Sequence, residues 1–98
     1  MKIIFDEGID NSAKELVSKQ NRLALNGEKD AKIFLKNFWF KANLLSYLYG
    51  DTKDLKKDKE LRVDSYGDSL FSIQINKYKL YFYGLEDNVI KFTNYTKA

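Results

Sequence analysis

The feature that most constrains the fold is a two-residue alternation that runs through the last thirty residues. Over residues 70–76, Phe71, Ile73 and Ile75 alternate with Ser72, Gln74 and Asn76. Over residues 78–83, Tyr78, Leu80 and Phe82 alternate with Lys79, Tyr81 and Tyr83. Over residues 88–95, Ile90 and Phe92 alternate with Lys91, Thr93 and Tyr95. Successive side chains on a strand point to opposite faces, so each segment reads as a strand with one apolar side. With a turn over residues 84–88, the three make a β-meander that must bury one face.

The upstream half supplies the cover. Residues 2–6 are β-branched and aromatic, end at Glu7-Gly8, and read as a first strand. Asp10, Asn11 and Ser12 offer N-cap oxygens, with Ser12 and Glu15 spaced as a capping box. Ala13, Leu16, Val17, Gln20 and Leu23 follow at helical spacing, and Asn26-Gly27 is a stop signal, which predicts a helix over roughly 11–24. Asp30 caps a second predicted helix running to about residue 49. One stripe of it holds Ala31, Phe34, Leu35, Phe38, Ala42, Leu45 and Leu48, and a second holds Ile33, Phe40, Leu44 and Tyr47. So wide an apolar surface is expected to be covered on two sides, by the first helix and by the sheet. Phe38-Trp39-Phe40 reads as core with Trp39 partly exposed, the alternative being an aromatic anchor for a partner. After Gly50, residues 51–60 carry eight charges and one apolar side chain, a solvated surface loop. Residues 61–63 read as a short edge strand before a Ser65-Tyr66-Gly67-Asp68 turn. The expected fold is a single α+β domain over residues 1–98: two N-terminal helices on one face of a mainly antiparallel, four- or five-stranded sheet.

Composition then removes whole classes of function. The chain has no cysteine, histidine or proline. Disulfide frameworks, thiolate nucleophiles and zinc–sulfur sites are excluded, as are mechanisms that use imidazole as the acid–base group. Fifteen aromatics (seven Phe, seven Tyr and Trp39) supply the large buried rings that a short domain needs. Net charge is +3, and every basic residue except Arg22 and Arg62 is lysine, a mild bias toward anionic partners. The acidic pairs Asp6-Glu7 and Glu86-Asp87 stand beside glycines at strand ends, where turn chemistry accounts for them, and no metal or cofactor is expected. No stretch approaches the ~18 apolar residues of a membrane-spanning helix. Acidic residues arrive too early for a secretory leader, so a cytoplasmic protein is expected.

If each strand turns its apolar side to the helices, the opposite face gathers Ser72, Gln74, Lys79, Tyr81, Tyr83, Lys91, Thr93 and Tyr95. Lysines interleaved with tyrosines suit a single-stranded nucleic acid, because ammonium groups meet phosphates while rings stack on bases. The plainer reading is that these are ordinary residents of a half-exposed sheet, where tyrosine and threonine favour strands and lysine discourages edge pairing.

The order strand, helix, helix, charged loop, meander, with LFSIQINKYKLYF at residues 70–82, VIKF at 89–92 and YTK at 95–97, resembles the RelE/ParE toxin superfamily, in particular its phage-derived RelE-like branch. The resemblance is a pattern over residues 61–97, joined by element order over residues 2–50. It implies a small cytoplasmic toxin with a cognate antitoxin, acting on ribosome-bound mRNA as a metal-independent endoribonuclease. In that chemistry a ribose 2′-hydroxyl attacks the adjacent phosphate, and cations stabilise the crowded phosphorus. By the resemblance, Lys79 takes the basic position of the central strand and Lys97 the basic tail; Tyr81, Tyr83 or Tyr95 is the candidate for proton transfer, and nothing in the sequence singles one out. Ser72, Gln74, Tyr83 and Lys91 would bind substrate. Ser72 and Gln74 stand where many members carry basic residues, and a hydroxyl and an amide bond phosphate oxygens without neutralising them. The rival expectation is a non-catalytic binding protein that inhibits a macromolecular target, such as a ParE-like gyrase poison or a mobile-element inhibitor, docking through the lysine–tyrosine face or Trp39.

Overall fold

The computed structural model describes residues 2–48, 63–67, 69–85 and 89–98, the side chains of 46–48 excepted. The chain runs β1 (Lys2–Phe5), α1 (Ala13–Leu25), α2 (Lys29–Leu48), β2 (Asp64–Ser65), β3 (Leu70–Ile75), β4 (Tyr78–Leu85) and β5 (Val89–Lys97). One sheet holds all five strands in the order β1-β5-β4-β3-β2. β1 runs parallel to β5, and every other neighbouring pair is antiparallel. Both helices pack on the same face, giving the expected α+β architecture with a mixed sheet.

Local signals explain the helix ends. The Ser12 hydroxyl accepts from the Glu15 amide at 3.1 Å and caps α1. At the other end, Gly27 takes φ 90°, its amide donates to the Ala24 carbonyl, and the Glu28 amide donates to the Leu23 carbonyl. That paired closure is the Schellman arrangement, which needs a residue in the left-handed region. The second helix begins at Lys29, so Asp30 sits inside its first turn instead of capping it. There its carboxylate opposes the positive end of the helix dipole.

The core is a layer of rings and branched chains between sheet and helices. Phe34, Phe38, Ala42 and Leu45 of α2 and Ala13, Leu16 and Val17 of α1 meet Phe71, Ile73, Ile75, Leu80, Phe82, Ile90 and Phe92. Phe38 sits at its centre, with ring centroids 5.4 Å from Phe92 and 6.2 Å from Phe5. The second stripe of α2 behaves differently from the expectation. Ile33 is 52% exposed and Phe40 56%, while Leu44 is only partly buried. The sheet and α1 together cover one stripe, and nothing in the described core reaches round to the other. Trp39 lies 44% exposed with its ring edge-on to Phe38.

Two strand expectations are also corrected. The short strand before β3 falls at Asp64–Ser65, just after the expected 61–63 and overlapping the expected turn at Ser65, because Asp64 pairs with Ser72 and Ser65 with Phe71. More consequential is a bulge in β5. Between the pairs Leu80–Tyr95 and Phe82–Phe92, β5 has one residue more than β4. An extra residue reverses the facing of everything beyond it. The bulge coincides with the place where the start of α1 is tied to the sheet: Ser12 bridges to Asn94, and the Tyr95 amide donates to the Asn11 carbonyl at 2.8 Å.

The β3–β4 hairpin turns through Asn76 and Lys77, with Asn76 at φ 54°. Its side-chain carbonyl accepts from the Asn37 amide of α2 at 2.8 Å, pinning the turn to the helix. Asn76→Val should lower unfolding free energy by about 1–2 kcal/mol, since a β-branched residue is strained in the left-handed region. Asn76→Gly, which relieves that strain, should fall well short of that loss in the same urea titration.

The charged run over 51–60, Leu61, Arg62, Asp68, the Glu86-Asp87 pair and the Tyr47 side chain lie outside the described residues. Among the described residues, no helix is long and apolar enough to cross a membrane.

Candidate functional site

Register decides which of the expected residues share a face. On the sheet surface turned away from the helices, β3 places Ser72 and Gln74, β4 places Lys79, Tyr81 and Tyr83, and β5 places Lys91. Ser72 pairs with Tyr81, Gln74 with Lys79, and Tyr83 with Lys91. These six come together as the alternation anticipates. Tyr95 and Lys97 do not join them. Beyond the bulge, Tyr95 is opposite Leu80 and Lys97 opposite Tyr78, both on the helix side of the sheet. Tyr95 packs edge-on to Tyr78 at 5.7 Å, and Tyr78 packs edge-on to Phe34. The ring placed on the outer face by simple alternation is therefore a packing ring, and the Lys79–Lys97 pair is divided between two faces.

The outer face contains a residue that periodicity does not reveal. Tyr66, in the β2–β3 turn, folds over the sheet so that its ring lies 5.6 Å from that of Tyr81. Its hydroxyl shares a 3.0 Å hydrogen bond with the Ser72 hydroxyl, and Ser72 is only 1% exposed beneath it. The turn is held by the Tyr66 amide, which donates to the Leu70 carbonyl at 2.8 Å. The only hint in the sequence is an aromatic residue in a turn, where small polar residues are usual. Tyr83 follows Tyr81 by two residues on the same strand face and is 38% exposed. Tyr66, Tyr81 and Tyr83 thus form a bent row of rings, with Lys79 next to Tyr81 on β4 and Lys91 directly across from Tyr83.

The electrostatics are those of a weakly basic surface. The Lys79 ammonium reaches across β3 to lie 4.0 Å from the Asp64 carboxylate on the edge strand β2, which offsets part of its charge. Gln74 spends its amide N–H on the Asn76 carbonyl at 3.0 Å, leaving its side-chain oxygen as the free end. Ser72 is sealed under Tyr66 and cannot reach a ligand without that ring moving. The surface can stack planar groups and hold one or two phosphates at its margins. Among the described residues, Lys79 and Lys91 are the cations beside the rings.

Of the acidic pairs, Glu7 is bound to the Lys14 ammonium at the surface. The fold and the face together define a small α+β domain with a tyrosine-lined sheet surface. No family model matches the chain, and no curated protein is similar enough to count as a relative.

Proposed function

We propose that this protein is a RelE-like inhibitor of translation that holds single-stranded RNA on the outer face of its sheet without cutting it, acting in the cytoplasm alongside a cognate antitoxin. The observation that carries this reading is the row Tyr66–Tyr81–Tyr83 flanked by Lys79 and Lys91. Successive bases stack on successive rings, while the ammonium groups meet the backbone. Element order from β1 to β5 supports the RelE-like part of the reading. Binding is preferred to cleavage because Tyr95 and Lys97 face the helices and Lys79 stands beside Asp64.

The test has two readouts. Fluorescence anisotropy with a labelled single-stranded RNA should show binding, weaker for a duplex of the same sequence. Primer extension across mRNA from a translating extract should show full-length ends although protein synthesis falls. Codon-phased ends that vanish in Lys79→Ala would restore the nuclease. A second reading, an inhibitor docking on a protein target, draws on the exposed Ile33 and Phe40 of α2. Absence of RNA binding with inhibition retained would select it.

A further inference from the structure

On the helix side of the sheet, the face reversal at the β5 bulge brings Tyr95 against α1 and creates a groove of about 460 Å³. Clefts of this size hold small ligands. Its walls present Lys14, Glu15, Ser18, Lys19 and Arg22 from α1 and Tyr95 from β5. Lys14, Ser18 and Arg22 are four residues apart and therefore line one side of the helix. Three cations face a single carboxylate, and the hydroxyls of Ser18 and Tyr95 add two neutral donors. Lys14 is partly satisfied by Glu7, which leaves Arg22 and Lys19 as the principal positive groups. Arg22 stands in the last turn of α1, where its charge also opposes the negative end of the helix dipole.

We propose that this groove binds the phosphoryl group of a phosphorylated ligand. A guanidinium presents a fork of N–H donors that matches two phosphate oxygens, and hydroxyl donors complete the shell of the third. The sheet's outer face takes no part, so the site stands independently of the RNA reading. Two sources share this chemistry: a small phosphate monoester, or the phosphorylated end of a nucleic acid.

Titration of the ¹⁵N-labelled full chain by NMR separates them. The probes are inorganic phosphate, a nucleoside 5′-monophosphate, and one RNA oligomer with and without a 5′-phosphate, with chloride at matched ionic strength as the control. Phosphate should shift the amides of residues 14–22 and the ring signals of Tyr95. Arg22→Gln, a surface change to another good helix former, should weaken binding about tenfold to a hundredfold, as loss of a charge-assisted contact does. Tyr95→Phe keeps the ring against Tyr78 and should give a smaller loss. Glu15→Gln should tighten binding, an effect that a purely structural role would not produce. Comparable affinities for phosphate and the monophosphate support the site with a small ligand. A preference for the 5′-phosphorylated oligomer over its 5′-hydroxyl twin supports it with a nucleic-acid end. Shifts equalled by chloride, or unchanged in Arg22→Gln, would overturn the proposal.

Discussion

Phe38→Ala should remove about 3–5 kcal/mol of stability, the range for truncating a fully buried phenylalanine. The ring is completely buried and touches Phe5, Phe34, Trp39 and Phe92, which span both β1 and β5 as well as its own helix. Its loss opens a cavity between α2 and the parallel pair β1–β5. A domain of this size has roughly 5–15 kcal/mol in total, so the variant should lose a large part of its stability and melt more than ~10 °C lower. Phe40→Ala, two residues away, should change stability by no more than about 0.5 kcal/mol, because its ring already faces solvent. Trp39 lies 5.0 Å from the Phe38 ring and is the chain's one tryptophan, so its fluorescence reports the transition in urea. Similar midpoints for the two variants would contradict the assignment of one stripe of α2 to the core and the other to the surface.

The contrast between Phe38 and Phe40 shows what periodicity contains and what it omits. Spacing at i, i+3 and i+4 identifies which apolar residues of α2 share a face, and both stripes were legible in that sense. Whether a stripe is covered depends on how much partner surface the rest of the chain supplies, and that is not a local property. The same division holds for the sheet. Phe71, Ile73, Ile75, Leu80, Phe82, Ile90 and Phe92 all face the helices as alternation requires, because a one-residue slip would expose the whole apolar set.

Alternation fails at Thr93-Asn94, and the cause is non-local. Nothing in that dipeptide marks a bulge, such as a glycine. What coincides with it is the chain arriving from β1: Asn11 and Ser12 lie along the edge of β5, and Ser12 also caps α1. Two consequences follow from that extra residue. It withdraws Tyr95 and Lys97 from the outer face, and it places Tyr95 where α1 can form a basic groove with it. Tyr66 was hidden for a different reason. A turn residue has no period, and its position over Ser72 emerges only once the Asp64–Ser72 pairing is known.

The largest functional effect is expected from Tyr66→Ala combined with Tyr83→Ala. Each base–ring stack contributes about 1–3 kcal/mol, so removing two of the three rings should weaken RNA binding at least roughly thirtyfold. The two rings sit at opposite ends of the row, Tyr66 in the β2–β3 turn and Tyr83 within β4, so their effects should be close to additive. Both are exposed, so the fold should survive their truncation, and an unchanged unfolding midpoint is the control. Tyr66→Phe and Tyr83→Phe keep the stacking surface and should bind nearly as well as the parent, although Tyr66→Phe releases the hydroxyl of Ser72. Charge should matter less than stacking here. With Lys79 and Lys91 as the cations beside the rings, the slope of log K against log salt should be shallow, roughly −1.4. Asp64→Asn, by releasing Lys79, should tighten binding modestly and leave the tyrosine effects in place. If the double alanine variant binds RNA as the parent does, or if the salt slope is steep, the ring row is not the binding surface, and affinity must reside in the lysines elsewhere on the chain.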